Sequence, residues 1–147
     1  MTGLADLARA LRPLVFRLYY VVRRHTPQHQ LTLTQGSVLT MLSHRPHRMS
    51  TLAEREGVRM PSMTELVARL ERMGLVERER DPDDGRAVLV HITPNGQRLM
   101  DELVSAREAF LASRLAALSD ADRAAISAAL PALHRLLVEP RATQPKE

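Results

Sequence analysis

Two sets of side chains in this sequence have types and spacings suited to chemistry. Between Pro61 and Met73, the residues Pro61, Thr64, Glu65, Ala68 and Arg72 recur at helical spacing opposite an apolar stripe, with Ser62 and Arg69 on the flanks. Short hydroxyls donate and accept hydrogen bonds while letting a backbone come close to a surface. Guanidinium forks offer paired donors to phosphates and to guanine edges. The second set closes the run Asp81-Pro82-Asp83-Asp84-Gly85, where Arg86 follows the turn and Asp84 stands two residues before it. An arginine carried past a turn can enter a narrow minor groove, and the nearby carboxylate can pair with its fork and hold it. Arg78 and Arg80 precede the turn and, with Arg69 and Arg72, would meet phosphates. These groups suit recognition of a polyanion rather than bond-making.

Other chemistry is weakly represented. His25 and His29 are four apart, and His44 and His47 three apart, but Pro27 and Pro46 interrupt both pairs and no carboxylate completes a metal site. They read as solvent-exposed loop histidines. No phosphate loop, nucleophile elbow or HExxH signature occurs, so neither an enzyme nor a bound metal or cofactor is expected.

Composition narrows the partners. There are 21 Lys and Arg residues against 17 Asp and Glu, a net charge of +4, and basic surface attracts phosphate by counterion release. Lys146 is the single lysine; the arginine excess fits bidentate contacts and equally fits biased codon usage. Cysteine is absent, which excludes disulfides, thiolate metal sites and thiol sensors. Aromatics make up 3% of the 147 residues, leaving Leu, Val, Ala and Met to fill the core of one domain-sized body. Arginines interrupt each apolar run near the N-terminus, so neither a signal peptide nor a membrane span is expected, and a cytoplasmic protein is.

The elements that must position these groups follow from periodicity and caps. Leu4, Leu7, Leu11, Leu14, Leu18 and Val21 form a heptad-like seam, bent at Pro13, that fits either a core helix or one that pairs with a second chain. After a polar break around Thr26 to Gln30, Thr32 and Gln35 have capping-box spacing for a helix from about Leu33 to Ser43. Ser50 reads as the N-cap of a short helix ending near Glu56, and Gly57 as the following turn. Pro61 suits the first turn of a fourth helix, whose stripe is Met63, Leu66, Val67, Leu70 and Met73 and whose stop is Gly74. Two short helices about a tight turn make a helix-turn-helix.

Val76 to Arg80, the Asp-rich turn, and alternating Val88, Val90 and Ile92 predict a hairpin. Thr93 caps and Pro94 opens a long helix to about Leu118, with Leu99, Met100, Leu103, Val104, Phe110, Leu111 and Leu115 on its apolar side. Ser119 and Asp122 start a last helix lined by Ile126, Leu130, Leu133 and Leu137, with Pro131 inside it. Pro140 to Glu147 reads as a disordered tail.

The run Leu31-Thr32-Leu33-Thr34-Gln35, the stretch Gly74-Leu75-Val76-Glu77-Arg78, and Asp84-Gly85-Arg86-Ala87 followed by Ile92-Thr93-Pro94-Asn95-Gly96 resemble the MarR family of bacterial regulators, over about Leu4 to Val138. The resemblance implies a mainly α fold with a small β-hairpin wing, in which a winged helix-turn-helix lobe (31–93) lies between an N-terminal dimerisation helix (1–30) and C-terminal dimerisation helices (94–138), with a tail at 139–147. It implies a homodimer on pseudo-palindromic double-stranded DNA, usually a repressor, released by a small and often phenolic effector bound between dimer layer and DNA lobe. The family's wing arginine and its supporting aspartate match Arg86 and Asp84, and its recognition-helix hydroxyl matches Thr64. Glu65 departs from the family, where arginine is common; it can accept from a cytosine amino group or pair with Arg69.

Phe16, Tyr19, Tyr20, Met41 and His44 are the residues that would line an effector pocket, though Phe16 and Met41 equally suit core packing. Two other functions share these features: a sequence-tolerant architectural DNA binder using the same lobes, and a helical protein-interaction module that has lost DNA binding.

Overall fold

Local signals in the sequence start and stop most of the elements. The computed structural model describes residues 3–25 and 31–137; the break at Thr26 to Gln30, with His29, and the tail from Pro140 lie outside the described residues. Helix α1 (Leu4–Arg24) runs through Pro13. Helix α2 (Leu33–His44) begins at the expected capping box: the Gln35 N–H donates to Thr32 Oγ1 at 3.2 Å, and the Thr32 N–H donates to Gln35 Oε1 at 2.9 Å. Two orphan donors of the helix start are thereby satisfied reciprocally.

The next segment differs from expectation. His47–Arg48 forms a two-residue strand, β1, and α3 (Met49–Glu56) starts directly from it, with Arg48 at the N-cap and no side-chain cap bond. Ser50 therefore lies inside the helix rather than capping it, because pairing of β1 with a distant strand decides where the chain turns helical. His47 is buried, not a solvent-exposed loop histidine. Gly57 has φ +63°, the left-handed conformation that ends α3 at no steric cost.

Helix α4 (Met60–Arg72) has Pro61 in its first turn and stops before Gly74, at φ +71°. Met63, Val67 and Leu70 are fully buried and Leu66 partly so. Met73 leaves the expected stripe: it is the C-cap and is 41% exposed, since the backbone turns away there. Strands β2 (Val76–Arg80) and β3 (Val88–Ile92) form the hairpin, with Val76 opposite Ile92 and Arg80 opposite Val88. β3 also pairs with β1, His47 opposite Val90, giving a three-stranded antiparallel sheet in the order β1-β3-β2.

Helix α5 (Pro94–Ala116) opens at Thr93, whose hydroxyl oxygen accepts from the Gly96 N–H at 3.0 Å. Helix α6 (Asp120–Leu137) opens at Ser119, whose oxygen accepts from the Asp122 N–H at 3.1 Å. Here the Asp122 carboxylate accepts from the Ser119 hydroxyl instead of reaching the backbone donor.

Contacts divide the chain into two units, Met1–Ala109 and Phe110–Glu147. The core of the first unit is aliphatic, as the scarcity of aromatics requires. Val38, Leu39 and Leu42 of α2, Leu52 of α3, Met63, Val67 and Leu70 of α4, Val90 of β3 and Met100 and Leu103 of α5 make one cluster. In the second unit Arg123 donates to the Leu115, Ala116 and Leu118 carbonyls and pairs with Asp120, closing the end of α5. α1 and α6 contain no buried residue. Among the described residues no helix is long and apolar enough to cross a membrane.

Candidate nucleic-acid interface

Burial of Met63, Val67 and Leu70 fixes the rotation of α4, and the same rotation exposes Pro61, Ser62, Thr64, Glu65, Arg69 and Arg72, with Ala68 half-buried at the margin. Ten residues expected at the interface thus fall into two places: these seven on one helix and Arg78, Asp84 and Arg86 on the adjoining hairpin. The Thr64 hydroxyl donates to the Met60 carbonyl at 2.9 Å, leaving its oxygen lone pairs outward as acceptors. Glu65 pairs with Arg69 one turn on, Oε1 to Nη2 at 2.5 Å, the second of the two roles open to it from its spacing. Thr32, Gln35, Ser62, Glu65, Leu66 and Arg69 line a shallow depression between the start of α2 and α4.

Arg78 is engaged within the fold. Its guanidinium holds Glu71 of α4 at 2.7 Å, bracing the hairpin against the helix. Exposed pairs of this kind contribute about 0–1 kcal/mol, so Arg69 and Arg78 can exchange their carboxylate partners for phosphate at little cost. Arg72, Arg80 and Arg86 are exposed.

The wing tip is more ordered than its glycine and aspartates suggest. The Asp81 N–H donates to the Ala87 carbonyl at 3.0 Å, the Asp84 N–H to the Asp81 carbonyl at 3.2 Å, and the Ala87 N–H to the Asp84 carbonyl at 2.9 Å. Asp84 acts on the backbone of residue 86: its Oδ1 accepts from the Arg86 N–H at 3.1 Å. The expected pairing of Asp84 with the arginine fork is not formed; among the described residues the Arg86 guanidinium has no ion-pair partner, and its head is left for an external anion. Two of the three aspartates, Asp81 and Asp84, thus scaffold the turn, each with a carboxylate oxygen on a backbone amide.

Sequence reasoning missed Arg48 and Asp81. Asp81 is buried at the wing base; its Oδ1 accepts from the Asp83 N–H at 2.8 Å and its Oδ2 from Arg48 Nε at 2.5 Å. The Asp83 amide, then the Arg48 guanidinium, hold this carboxyl below the usual carboxylate range against an opposing effect of burial. The Asp-Pro step marks the turn, but nothing local in the sequence pairs it with a residue 33 positions away.

The expected effector residues are divided. Phe16 and Tyr20 line a groove along α1 with Arg12, Pro13, Arg17, Val21 and Arg24. Tyr19 lies outside that lining, its ring edge-on to Tyr20 at 5.6 Å and its hydroxyl accepting from Arg23 at 3.1 Å. Met41 packs against the aliphatic core, and His44 is exposed at the end of α2. Among the described residues no three His, Asp or Glu side chains gather as a metal site.

Comparison with known proteins agrees with this geometry. The MarR family model matches residues 31–88, from just before the α2 cap to the start of β3. An HTH-type transcriptional regulator of Mycobacterium tuberculosis is 41% identical over 120 residues, covering 81% of this chain and 84% of the relative. The transcriptional regulator HosA of Escherichia coli is 33% identical over 98 residues, 62% of this chain and 73% of HosA. Among solved structures, a MarR family protein from Bacillus stearothermophilus superposes with a TM-score of 0.76 at 27% identity, covering 90% of this chain and 93% of the other. The transcriptional regulator Tm0710 from Thermotoga maritima gives 0.74 at 27% identity, covering 88% and 92%. The helix order, the three-stranded winged sheet and this breadth of identity lead to one conclusion: the chain belongs to the MarR family.

Proposed function

We propose that the chain is a homodimeric, sequence-specific DNA-binding regulator of transcription, working in the cytoplasm as a repressor that a small, phenolic effector releases. One observation carries the reading: a helix whose rotation is locked by three buried side chains turns its hydroxyl and guanidinium face outward, beside a hydrogen-bonded wing whose Arg86 is exposed and forms no ion pair among the described residues. In this reading Pro61, Ser62, Thr64 and Glu65 enter the major groove, with Ala68 letting the helix sit close. Arg69, Arg72, Arg78 and Arg80 meet phosphates, and Arg86, set by Asp84, enters the minor groove.

The dimer is supported by apolar surface that one chain leaves uncovered. Leu4, Leu7, Leu14 and Leu18 of α1 and Ile126, Leu130, Leu133 and Leu137 of α6 are exposed. A seam of this size is costly in water, and a 21-residue helix with no buried side chain lacks the packing that keeps helices formed. Pairing through residues 1–30 and 94–138 would cover it, leaving 31–93 as the DNA lobe. Two-fold symmetry then sets the two α4 helices about 34–36 Å apart on DNA. A monomer in sedimentation at micromolar concentration would contradict this.

The effector reading rests on the α1 groove, where Arg12, Arg17 and Arg24 surround Phe16 and Tyr20; a hydroxybenzoate should weaken DNA binding, and less so after Phe16→Ala.

Fragments recovered from genomic DNA by binding supply the operator. A regulator should prefer such a fragment to unrelated duplex by roughly a thousandfold or more, whereas an architectural binder should show almost no preference. Arg86→Ala should weaken binding and lower the salt slope by about one. Unchanged binding would remove the wing from the interface.

A further inference from the structure

The wing tip is held from outside the wing. β1 contributes two residues that alternate across the sheet: His47 is buried, and Arg48 faces the other way. Arg48 Nε donates to Asp81 Oδ2 at 2.5 Å, with the arginine side chain 44% exposed and the carboxylate 6%. From that carboxylate the bonds run onward without a gap. Its second oxygen takes the Asp83 N–H, its backbone carbonyl takes the Asp84 N–H, and the Asp84 carboxylate takes the Arg86 N–H. At its other end Arg48 is the N-cap residue of α3, the first helix of the helix-turn-helix. One side chain thus ties the lobe that carries α4 to the loop that carries Arg86.

We infer that Arg48 is a positioning residue for DNA recognition: by clamping Asp81 it presets the backbone at Arg86 relative to α4. This rests on the reading that the wing meets DNA. Solvent at the half-exposed arginine screens the pair, so its stabilising effect is confined to the turn and the nearly buried carboxylate it holds. Its worth lies in order. A nearly buried carboxylate with both oxygens bonded, one of them by a charge-assisted bond, allows the turn few alternatives. A groove binds a wing whose backbone is already set more tightly than one whose tip must be ordered on contact, by roughly tenfold where the ordering of about one residue's backbone is spared. Arg78–Glu71 braces β2 lower down but does not reach the tip.

The test uses the full chain with Arg48→Gln, Arg48→Lys, Arg86→Ala and the double variant Arg48→Gln/Arg86→Ala. In the protein without DNA, Arg48→Gln should speed amide exchange at residues 83, 84, 86 and 87 by about tenfold or more, leave the amides of Val38 and Leu39 unchanged, and be rescued in part by Arg48→Lys. On a duplex recovered from genomic DNA, Arg48→Gln should bind roughly tenfold more weakly. The double variant should bind no more weakly than Arg86→Ala alone, since Arg48 acts through Arg86. Unchanged tip exchange would overturn the clamp whatever the DNA result. Full additivity of the two binding losses would overturn its action through Arg86. A wild-type chain that retards no duplex would overturn the DNA reading and the purpose given to the clamp, while the exchange data would still report whether the tip depends on Arg48.

Discussion

Replacing Gly96 by alanine should destabilise the fold although it puts a better helix former into α5. Gly96 is buried in the first turn, where its N–H donates to Thr93 Oγ1. A Cβ there would overlap the carbonyl oxygen of Leu75 and stand 2.8 Å from Ile92 Cγ1 and 3.1 Å from the Leu75 carbonyl carbon. The obstacle is backbone, and it is pinned. The Leu75 carbonyl accepts from the Thr93 N–H at 3.0 Å, and the Leu75 N–H donates to the Leu70 carbonyl at 3.0 Å, closing α4 beside left-handed Gly74. Overpacking of this kind costs about 1–3 kcal/mol, and displacing the Thr93 bond adds ~1 kcal/mol. The gain in helix propensity returns ~1 kcal/mol. The net loss is about 1–3 kcal/mol, a fall in melting temperature of roughly 3–10 °C for a chain of this size. Gly36→Ala in α2 is the matched control, because a Cβ there meets nothing within 4 Å; it should raise stability by up to about 1 kcal/mol. Calorimetry or urea unfolding of both variants decides the matter. A Gly96→Ala protein as stable as wild type would refute the close-approach reasoning.

Other expectations concern caps and protons. Thr32→Ala removes one half of the α2 capping box and should cost about 1 kcal/mol in urea unfolding, with Thr32→Ser close to neutral. His47 binds its proton less readily in the fold than the ordinary 6.5, because of burial first and then the positive charges of Arg45 and Arg55, with a bond to Met41 opposing. The unfolded chain therefore takes up a proton before the fold does. Stability should be level above about pH 6.5 and decline as pH falls below it, by at most ~1.4 kcal/mol per pH unit; His47→Gln should flatten that limb of a stability profile. Asp81 has the opposite kind of group and the same acid direction. Its lowered pKa stabilises the fold above the ordinary carboxylate value and the contribution is lost as pH falls through the folded one, so Asp81→Asn should reduce the decline at the lowest pH.

Much of the site was legible in the sequence because its signals are local. Thr32 and Gln35, Gly57, Pro61 and Gly74, the Asp-rich turn, and Thr93 with Pro94 each act within a few residues, through a cap, a left-handed backbone or a fixed φ. The stripe of Met63, Val67 and Leu70 told which side of α4 faces out, and the family pattern lay in the runs at 31–35, 74–78, 84–87 and 92–96. Illegible were the partnerships. Met73 looks like a core residue by spacing and is exposed because the helix has ended. Asp84 looks like a partner for the Arg86 fork and serves its amide.

The sequence alone therefore determined the helices and the hairpin, their order, the exposed face of α4 and the family, since these depend on propensities and periods expressed over one or two turns. Tertiary structure alone decided that two residues before α3 would become a strand, that His47 would be buried, that Glu71 would hold Arg78, and that Arg48 would reach Asp81. Those outcomes depend on which distant segments meet, and a hydrogen bond across 33 residues leaves no pattern in either stretch of chain.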